Sequence, residues 1–135
     1  PQAKTLYHAG AVLACNTLVA LMETALRCME GAGVPRAAAW PALLPLIEGT
    51  ITNVGRLGTA EALTGPVARG DVATVQRQVA ATHALAPLVG AIYRDLSGMA
   101  TELAAPGLTP ETLQALVSLL QDPPIAAEAD KLAAS

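Results

Sequence analysis

Residues 3–30 form the stretch that decides the fold class, and they read AKTLYHAGAVLACNTLVALMETALRCME. Apolar and helix-forming residues run through it with no proline, and Gly31-Ala32-Gly33 follows as a C-terminal stop signal. The pattern therefore predicts one continuous helix from about Ala3 to Glu30.

In the rest of the chain, no run of residues alternates between apolar and polar side chains as a β-strand would. Sequence signals for the starts and ends of helices continue along it. Pro35 opens a second helix to about Leu57, which Pro41 and Pro45 should kink or delay. Gly58 ends this helix, a short turn capped by Thr59 extends to Leu63, and a loop follows over residues 64–70. The next two helices are predicted from the Asp71 cap to Leu85 and from Pro87 to Ala104. The last helix opens at Thr109-Pro110-Glu111, runs to Gln121 and ends at Asp122-Pro123-Pro124. We predict an all-α bundle of about five to six helices.

Each later helix carries an apolar stripe. Hydrophobic residues make up 53% of the chain but aromatic residues only 2%, so we expect a core of Ala, Leu, Val and Ile between closely spaced helices. The stripes are Leu43, Leu44, Leu46, Ile47, Ile51 and Val54; then Val72, Val75, Val79 and Thr82; then Leu88, Ile92, Leu96, Met99 and Leu103.

Length, charge and cysteine usage narrow the class of protein. The 135 residues predict a single helical domain spanning 1–135. A net charge of −3 with scattered basic residues argues against a nucleic-acid partner. Cys15 and Cys28 lie too far apart on one helix to form a disulfide, so free thiols and a cytoplasmic location are expected. His8 and His83 show no metal-ligand spacing with the cysteines, and we predict no metal site.

A membrane-spanning role has to be weighed for the first helix. Residues 5–22 carry no formal charge, which approaches the length of a spanning helix. However, polar residues such as His8 and Asn16 lie within this run, and no flanking cationic cluster or aromatic belt accompanies it. We therefore expect no membrane partner, and a helix buried by its own domain or by another protein.

The first helix also carries two polar side chains that are candidates for catalysis. His8 and Asn16 share one helical face with Val12, Cys15 and Val19, separated by a rise of about 12 Å. They cannot bond each other but could bracket one small ligand lying along the helix. The alternative is structural, with His8 bonding a neighbouring loop and Asn16 satisfying a helix crossing.

The most polar interruption of the chain is LTGPVARGD, residues 63–71. Gly65-Pro66 forces a turn, Gly70 permits left-handed backbone, and Asp71 can cap the next helix. Arg69 could bind a carboxylate or phosphate through two hydrogen bonds, or else pair with Asp71 or Glu61. The candidate substrate-binding residues are Thr64, Gly65, Arg69 and Asp71. The alternative is that the segment only connects two helices.

Together these segments resemble a known family. YHA at 7–9 with NTLVAL at 16–21, and LTGPVARGD at 63–71, are similar to the C-terminal helical domain of Rossmann-like oxidoreductases labelled domain of unknown function 2520. The likeness extends from about Lys4 to Ala104. That domain is similar in build to the C-terminal halves of 6-phosphogluconate dehydrogenase, ketopantoate reductase and pyrroline-5-carboxylate reductase.

The resemblance implies a division of labour with a second domain. An N-terminal Rossmann domain, expected to precede Pro1 in a longer protein, would hold NAD(P). The helical domain would contact a small-molecule substrate and form a homodimer. The corresponding helix of ketopantoate reductase carries a catalytic Lys, a catalytic Asn one turn after it, and a later Asn. If Asn16 is matched to that later Asn, His8 falls at the catalytic Lys position and Val12 at the catalytic Asn position. Val12 departs from the pattern, because valine cannot replace an amide.

Residues 1–135 contain no Gly-x-Gly-x-x-Gly, so we expect this domain alone to bind no cofactor and to catalyse no redox reaction. Two alternatives stay open. One is a structural or dimerising helical module without a site. The other is a bundle that holds an apolar ligand or lies at a membrane, which would show as lipid co-purification or detergent dependence.

Overall fold

The computed structural model describes residues 1–121, which contain α-helices and no β-strand. The predicted all-α class is confirmed. The helices are α1 (Gln2–Ala14), α2 (Asn16–Gly31), α3 (Arg36–Leu57), α4 (Thr59–Ala62), α5 (Pro66–Arg69), α6 (Val72–Leu85), α7 (Pro87–Ala104) and α8 (Pro110–Gln121). A 3₁₀ turn at Ala105–Gly107 precedes α8. The predicted stop at Asp122-Pro123-Pro124 lies outside the described residues.

The first helix is not regular throughout, contrary to the prediction of one continuous helix. At Cys15 the backbone departs to φ −119° and ψ −64°, which divides α1 from α2. The Thr17 hydroxyl donates to the Leu13 carbonyl oxygen at 2.6 Å, and such bonds from a threonine to the preceding turn often bend a helix. The hydrogen-bond ladder still crosses the site, since the Cys15 N–H donates to the Ala11 oxygen at 3.1 Å.

Most later boundaries follow the local signals. Asp71 precedes α6, Pro87 opens α7 and Pro110 opens α8, as predicted. The expectation for Thr59 was wrong, because Gly58, with φ +81°, takes the cap position and Thr59 is the first residue of α4.

Pro41 and Pro45 do not delay α3. This helix already begins at Arg36, and both prolines lie inside it.

The chain divides into two compact units, the first spanning Pro1–Leu46. In this unit the Arg36 guanidinium binds the carboxylates of Glu23 and Glu30 at 2.7 and 3.0 Å, and Arg27 also pairs with Glu23 at 3.0 Å. Hydrogen bonds from Arg36 and then Arg27 lower the pKa of Glu23 to about 2. Arg36 thus links the start of α3 to α2 by a bidentate, charge-assisted contact.

The stretch Gln2–Gly31 leaves most of its surface uncovered. Its exposed large apolar side chains are Leu6, Tyr7, Leu13 and Val19. By length and composition it could cross a membrane, with a mean hydropathy of 1.6 over a window of which 6% is buried. Burial by its own domain, one of the two expectations for this helix, is not found among residues 1–121.

The second unit begins at Ile47, and its core lies among α5, α6 and α8. The buried cluster consists of Val67, Val75, Val79, Leu116 and Leu120. Leu116 and Val75 are its largest fully buried side chains. Aliphatic residues therefore make the core, as the near absence of aromatic residues predicts, and the α6 stripe is confirmed at Val75 and Val79.

The face that α7 buries differs from its predicted apolar stripe. Leu88, Leu96 and Met99 are exposed, at 66%, 49% and 59% of their surfaces. The buried positions of this helix are Val89, Gly90, Ser97 and Thr101. Small residues turn inward because they allow close helix packing, and larger apolar residues are left outside.

Gly90 marks the closest approach of α7 to α6. A β-carbon at this position would lie 2.7 Å from the His83 Cα and 3.0 Å from the His83 nitrogen. Both atoms belong to the α6 backbone, which cannot move as a flexible side chain would. The packing of these two helices therefore requires a glycine at position 90.

We expect Gly90→Ala to lower the free energy of unfolding by about 1–3 kcal/mol, since the new methyl group overpacks the helix contact. Gly98→Ala is the matched control on α7, because a β-carbon there meets nothing within 4 Å. That control should gain up to about 1 kcal/mol from higher helix propensity. Urea unfolding followed by circular dichroism measures both. Equal gains in the two variants would contradict the close approach at Gly90.

Candidate functional site

The segment 63–71 folds as a tight turn around a single helical turn, α5. Gly65 has φ +94° and Gly70 has φ +67°, so both adopt backbone conformations that favour glycine. The turn is closed by the Gly70 N–H, which donates to Val67 at 3.1 Å, and by the Asp71 N–H, which donates to Pro66 at 2.8 Å. Its Gly, Pro and Asp residues thus each have a local structural role.

Two contacts fix this turn to the rest of its unit. The Val67 side chain is 6% exposed and belongs to the buried cluster. A β-carbon on Gly70 would lie 2.8 Å from Thr112 Cγ2 and 3.3 Å from Leu108 Cδ2, so the turn lies directly against the start of α8. The backbone on either side of Arg69 is therefore held in place.

Asp71 caps α6, as predicted. Its Oδ1 accepts the Thr74 N–H at 3.1 Å. Hydrogen bonding from Thr74, first through its side chain and then through its backbone, lowers the pKa of the Asp71 carboxyl, and Arg77 and Arg69 add weaker attraction. The capping bond accounts for the Asp71 carboxylate without a ligand.

Arg69 lies at the end of α5 and is exposed. The ion pairs with Asp71 or Glu61 considered above do not form: within residues 1–121, the salt bridges involve Arg27 and Arg36. The Arg69 guanidinium is thus unpaired in the described chain and accessible on a fixed backbone. Thr64 is exposed beside it in sequence, and Gly65 is half-buried.

His8 and Asn16 lie in the first unit, whereas Thr64, Gly65, Arg69 and Asp71 lie in the second. His8 is on α1 and Asn16 is the first residue of α2, directly after the irregularity at Cys15. Both side chains are exposed, and neither makes a side-chain hydrogen bond within the described residues. The proposed loop contact of His8 and helix-crossing contact of Asn16 are thus not seen in this part of the chain.

The sequence did not predict the unusual environment of one charged residue, Arg94. Arg94 has its Nη1 atom buried without a hydrogen-bond partner among residues 1–121. The sequence shows only one of several scattered arginines on an apolar helix, and its burial follows from tertiary packing. No group of three or more metal-ligating side chains occurs within the same described range.

The lowered pKa of Asp71 predicts how the cap responds to acid. Because the folded pKa is lowered, the stabilisation is present above the usual value of 3.8 and is lost as the pH falls through the folded value. NMR should show the Thr74 amide losing protection with a midpoint below 3.8. The Thr112 amide, which donates to the Thr109 hydroxyl at 3.2 Å, is the control without a titrating cap.

Asp71→Asn should remove the pH dependence and keep the cap, because asparagine is an equally good N-cap residue. A Thr74 midpoint at or above 3.8 in the unsubstituted protein would contradict the assigned hydrogen bond.

Comparison with known proteins identifies the family of the chain. Residues 1–100 match the family model described as a domain of unknown function, DUF2520. No curated protein and no solved structure matches the chain. The matched range includes α1 through most of α7, and with it both candidate segments, His8 to Asn16 and Leu63 to Asp71. The chain belongs to the DUF2520 family.

Proposed function

We propose that this chain is the helical, substrate-side and dimerisation domain of an NAD(P)-dependent oxidoreductase, inactive by itself. A Rossmann domain preceding it in the full protein would hold the cofactor. The observation that carries the substrate-side role is the exposed, unpaired guanidinium of Arg69 on a backbone fixed by Val67 and Gly70. Membership of the DUF2520 family and its resemblance to Rossmann-linked helical domains support the proposal.

Arg69 has the chemistry of an anion-recognition residue. Its side chain presents several N–H donors in one plane, which suits the two oxygens of a carboxylate or phosphate. Within residues 1–121, Asp71 attracts Arg69 only weakly and forms no salt bridge with it, so the N–H donors of the guanidinium stay free for a ligand. Thr64 is also exposed and would add a hydroxyl to the same binding surface. Gly65 and Asp71 would act by shaping the turn that carries Arg69.

The proposed catalytic candidates lie on the first helical stretch. A histidine can donate a hydrogen bond or a proton to a carbonyl that becomes an alcohol during hydride transfer. His8 is exposed on α1, and Asn16 is exposed at the start of α2. Both are accessible to a substrate bound against this helix. NAD(P), held by the Rossmann domain, would supply the hydride.

The dimerisation role is supported by uncovered apolar surface. Leu6, Tyr7, Leu13 and Val19 are exposed by 73%, 83%, 66% and 71%. Soluble proteins seldom leave large apolar patches in water unless another surface covers them. A second copy of the chain is the occupant we propose.

We expect the unsubstituted chain to sediment as a dimer, and Leu13→Glu combined with Val19→Glu to give a monomer. Both side chains are exposed within one chain, so the substitution should leave the helical circular dichroism unchanged. Leu88→Glu is the control, because Leu88 is also 66% exposed but lies on α7. Sedimentation equilibrium measures the mass. A monomeric unsubstituted chain would contradict the proposal, and a chain soluble only in detergent would favour the membrane alternative.

The substrate-side role is tested in the full protein that includes the preceding domain. Its reading frame should contain a glycine-rich strand–turn–helix before Pro1, and another kind of domain there would contradict the proposal. With NADPH and a panel of small oxo acids, Arg69→Gln should raise KM about 10- to 100-fold, the range for a lost charged hydrogen bond. Arg69→Lys should recover part of this affinity.

His8→Gln should lower kcat by about 100-fold or more, as expected for loss of an acid catalyst. NADPH binding, followed by fluorescence, should be unchanged in both variants. Arg56→Gln is the matched control, since Arg56 is exposed on α3 and outside both candidate segments.

The second candidate function is a dimerisation module without a site. It is favoured by the local roles that Gly65, Gly70 and Asp71 already have in the turn. Unchanged activity in both His8→Ala and Arg69→Ala would select this function over the first.

A further inference from the structure

A groove of about 680 Å³ runs between α7 and α8, inside the second unit. It is lined by Gly98 and Thr101 of α7, by Ala105 of the following 3₁₀ turn, and by Leu113, Val117 and Leu120 of α8. The Thr101 hydroxyl donates to the Ser97 carbonyl oxygen at 2.8 Å, within α7 itself. This side chain therefore has no unused donor for the groove, and the walls named here are apolar in character.

Arg94 lines the same groove. Its Nη1 atom is buried and has no hydrogen-bond partner among residues 1–121. Asp95 and Glu102 also line the groove, yet neither forms a salt bridge with Arg94 within 4.0 Å in that range. A buried donor of a charged group that lacks a partner is costly, and the Arg94 guanidinium would relieve that cost by turning toward an anion in the groove.

We propose that the groove binds a small monocarboxylate with an aliphatic tail. The carboxylate would accept hydrogen bonds from Arg94, and the tail would lie over Gly98 and Thr101 against Val117 and Leu120. The run from Arg94 to Ala104 on α7 spans about 15 Å of helix, which is long enough for such a tail. The volume also lies within the usual range of small-molecule sites, about 300–1,000 Å³.

The two acids select among anions. Asp95 and Glu102 are both exposed, so they bring negative charge to the open side of the groove. A ligand with a second negative charge would be repelled more strongly there than a single carboxylate, whose one charge is paired with Arg94. Monocarboxylates are therefore favoured over dicarboxylates and phosphate monoesters of the same length.

This site is separate from the proposed oxidoreductase role. It uses neither the His8–Asn16 helix nor the turn at 63–71, and it needs no cofactor and no second copy of the chain. Its failure would leave the proposed function untouched, and the reverse also holds.

The test titrates the full chain with octanoate and follows backbone amide signals by NMR. We expect saturable shifts at α7 and α8 with a Kd of about 1 mM or tighter, a value typical of a ligand of this size. Octanol, which lacks the charge, and octyl phosphate, which carries a second one, should each bind at least about tenfold more weakly than octanoate. Equal binding of octanol and octanoate would overturn the role of Arg94.

Two variants distinguish binding at this groove from nonspecific binding of octanoate to apolar surface. Arg94→Gln should weaken octanoate binding about tenfold or more, and Arg77→Gln, an exposed α6 arginine outside the groove, should not change it. Gly98→Leu fills the groove from a position where a β-carbon meets nothing within 4 Å, so the helix should form and binding should be lost. Octanoate binding that persists in Gly98→Leu or Arg94→Gln would overturn the proposal.

Discussion

Helices α6 and α7 can lie side by side as they do because residue 90 has no side chain. With the α6 backbone at His83 only 2.7 Å from where a β-carbon would be, the two helices touch almost main chain to main chain. That approach turns Ser97 and Thr101 inward rather than the larger apolar residues of α7. It also leaves a compact aliphatic cluster, from Val67 to Leu120, as the core. Leu88, Leu96 and Met99 of the same helix stay exposed.

The parts of the fold that could be predicted from sequence are those decided within a few residues. Asp71 caps α6 because its carboxylate reaches an amide three residues on, and Pro87 and Pro110 open helices because their fixed backbone suits a first turn. The α7 stripe could not be predicted in this way. Hydrophobicity indicates which side chains avoid water but not which element will cover them. On α7, small residues rather than the apolar stripe form the buried contact.

The candidate site shows the same limit. The turn geometry at 63–71 follows from Gly65 and Gly70, and Arg69 was found because it is a lone cation in a polar turn. Whether Asp71 would form an ion pair with it depends on side-chain geometry, and in the structure the Asp71 carboxylate accepts the Thr74 N–H and forms no salt bridge with Arg69. Arg94 carried no signal in the sequence, because the burial of one arginine nitrogen is set by tertiary packing and not by neighbouring residues in the chain.

The last described helix has a consequence for where this domain ends. The family match covers residues 1–100, whereas α8 spans Pro110–Gln121 and supplies Leu116 and Leu120 to the buried cluster. Its first turn also closes over Gly70 through Thr112. The folding unit is therefore longer than the recognisable family segment. A chain cut at residue 100 would open the aliphatic core to water and remove the surface that shapes the Arg69 turn.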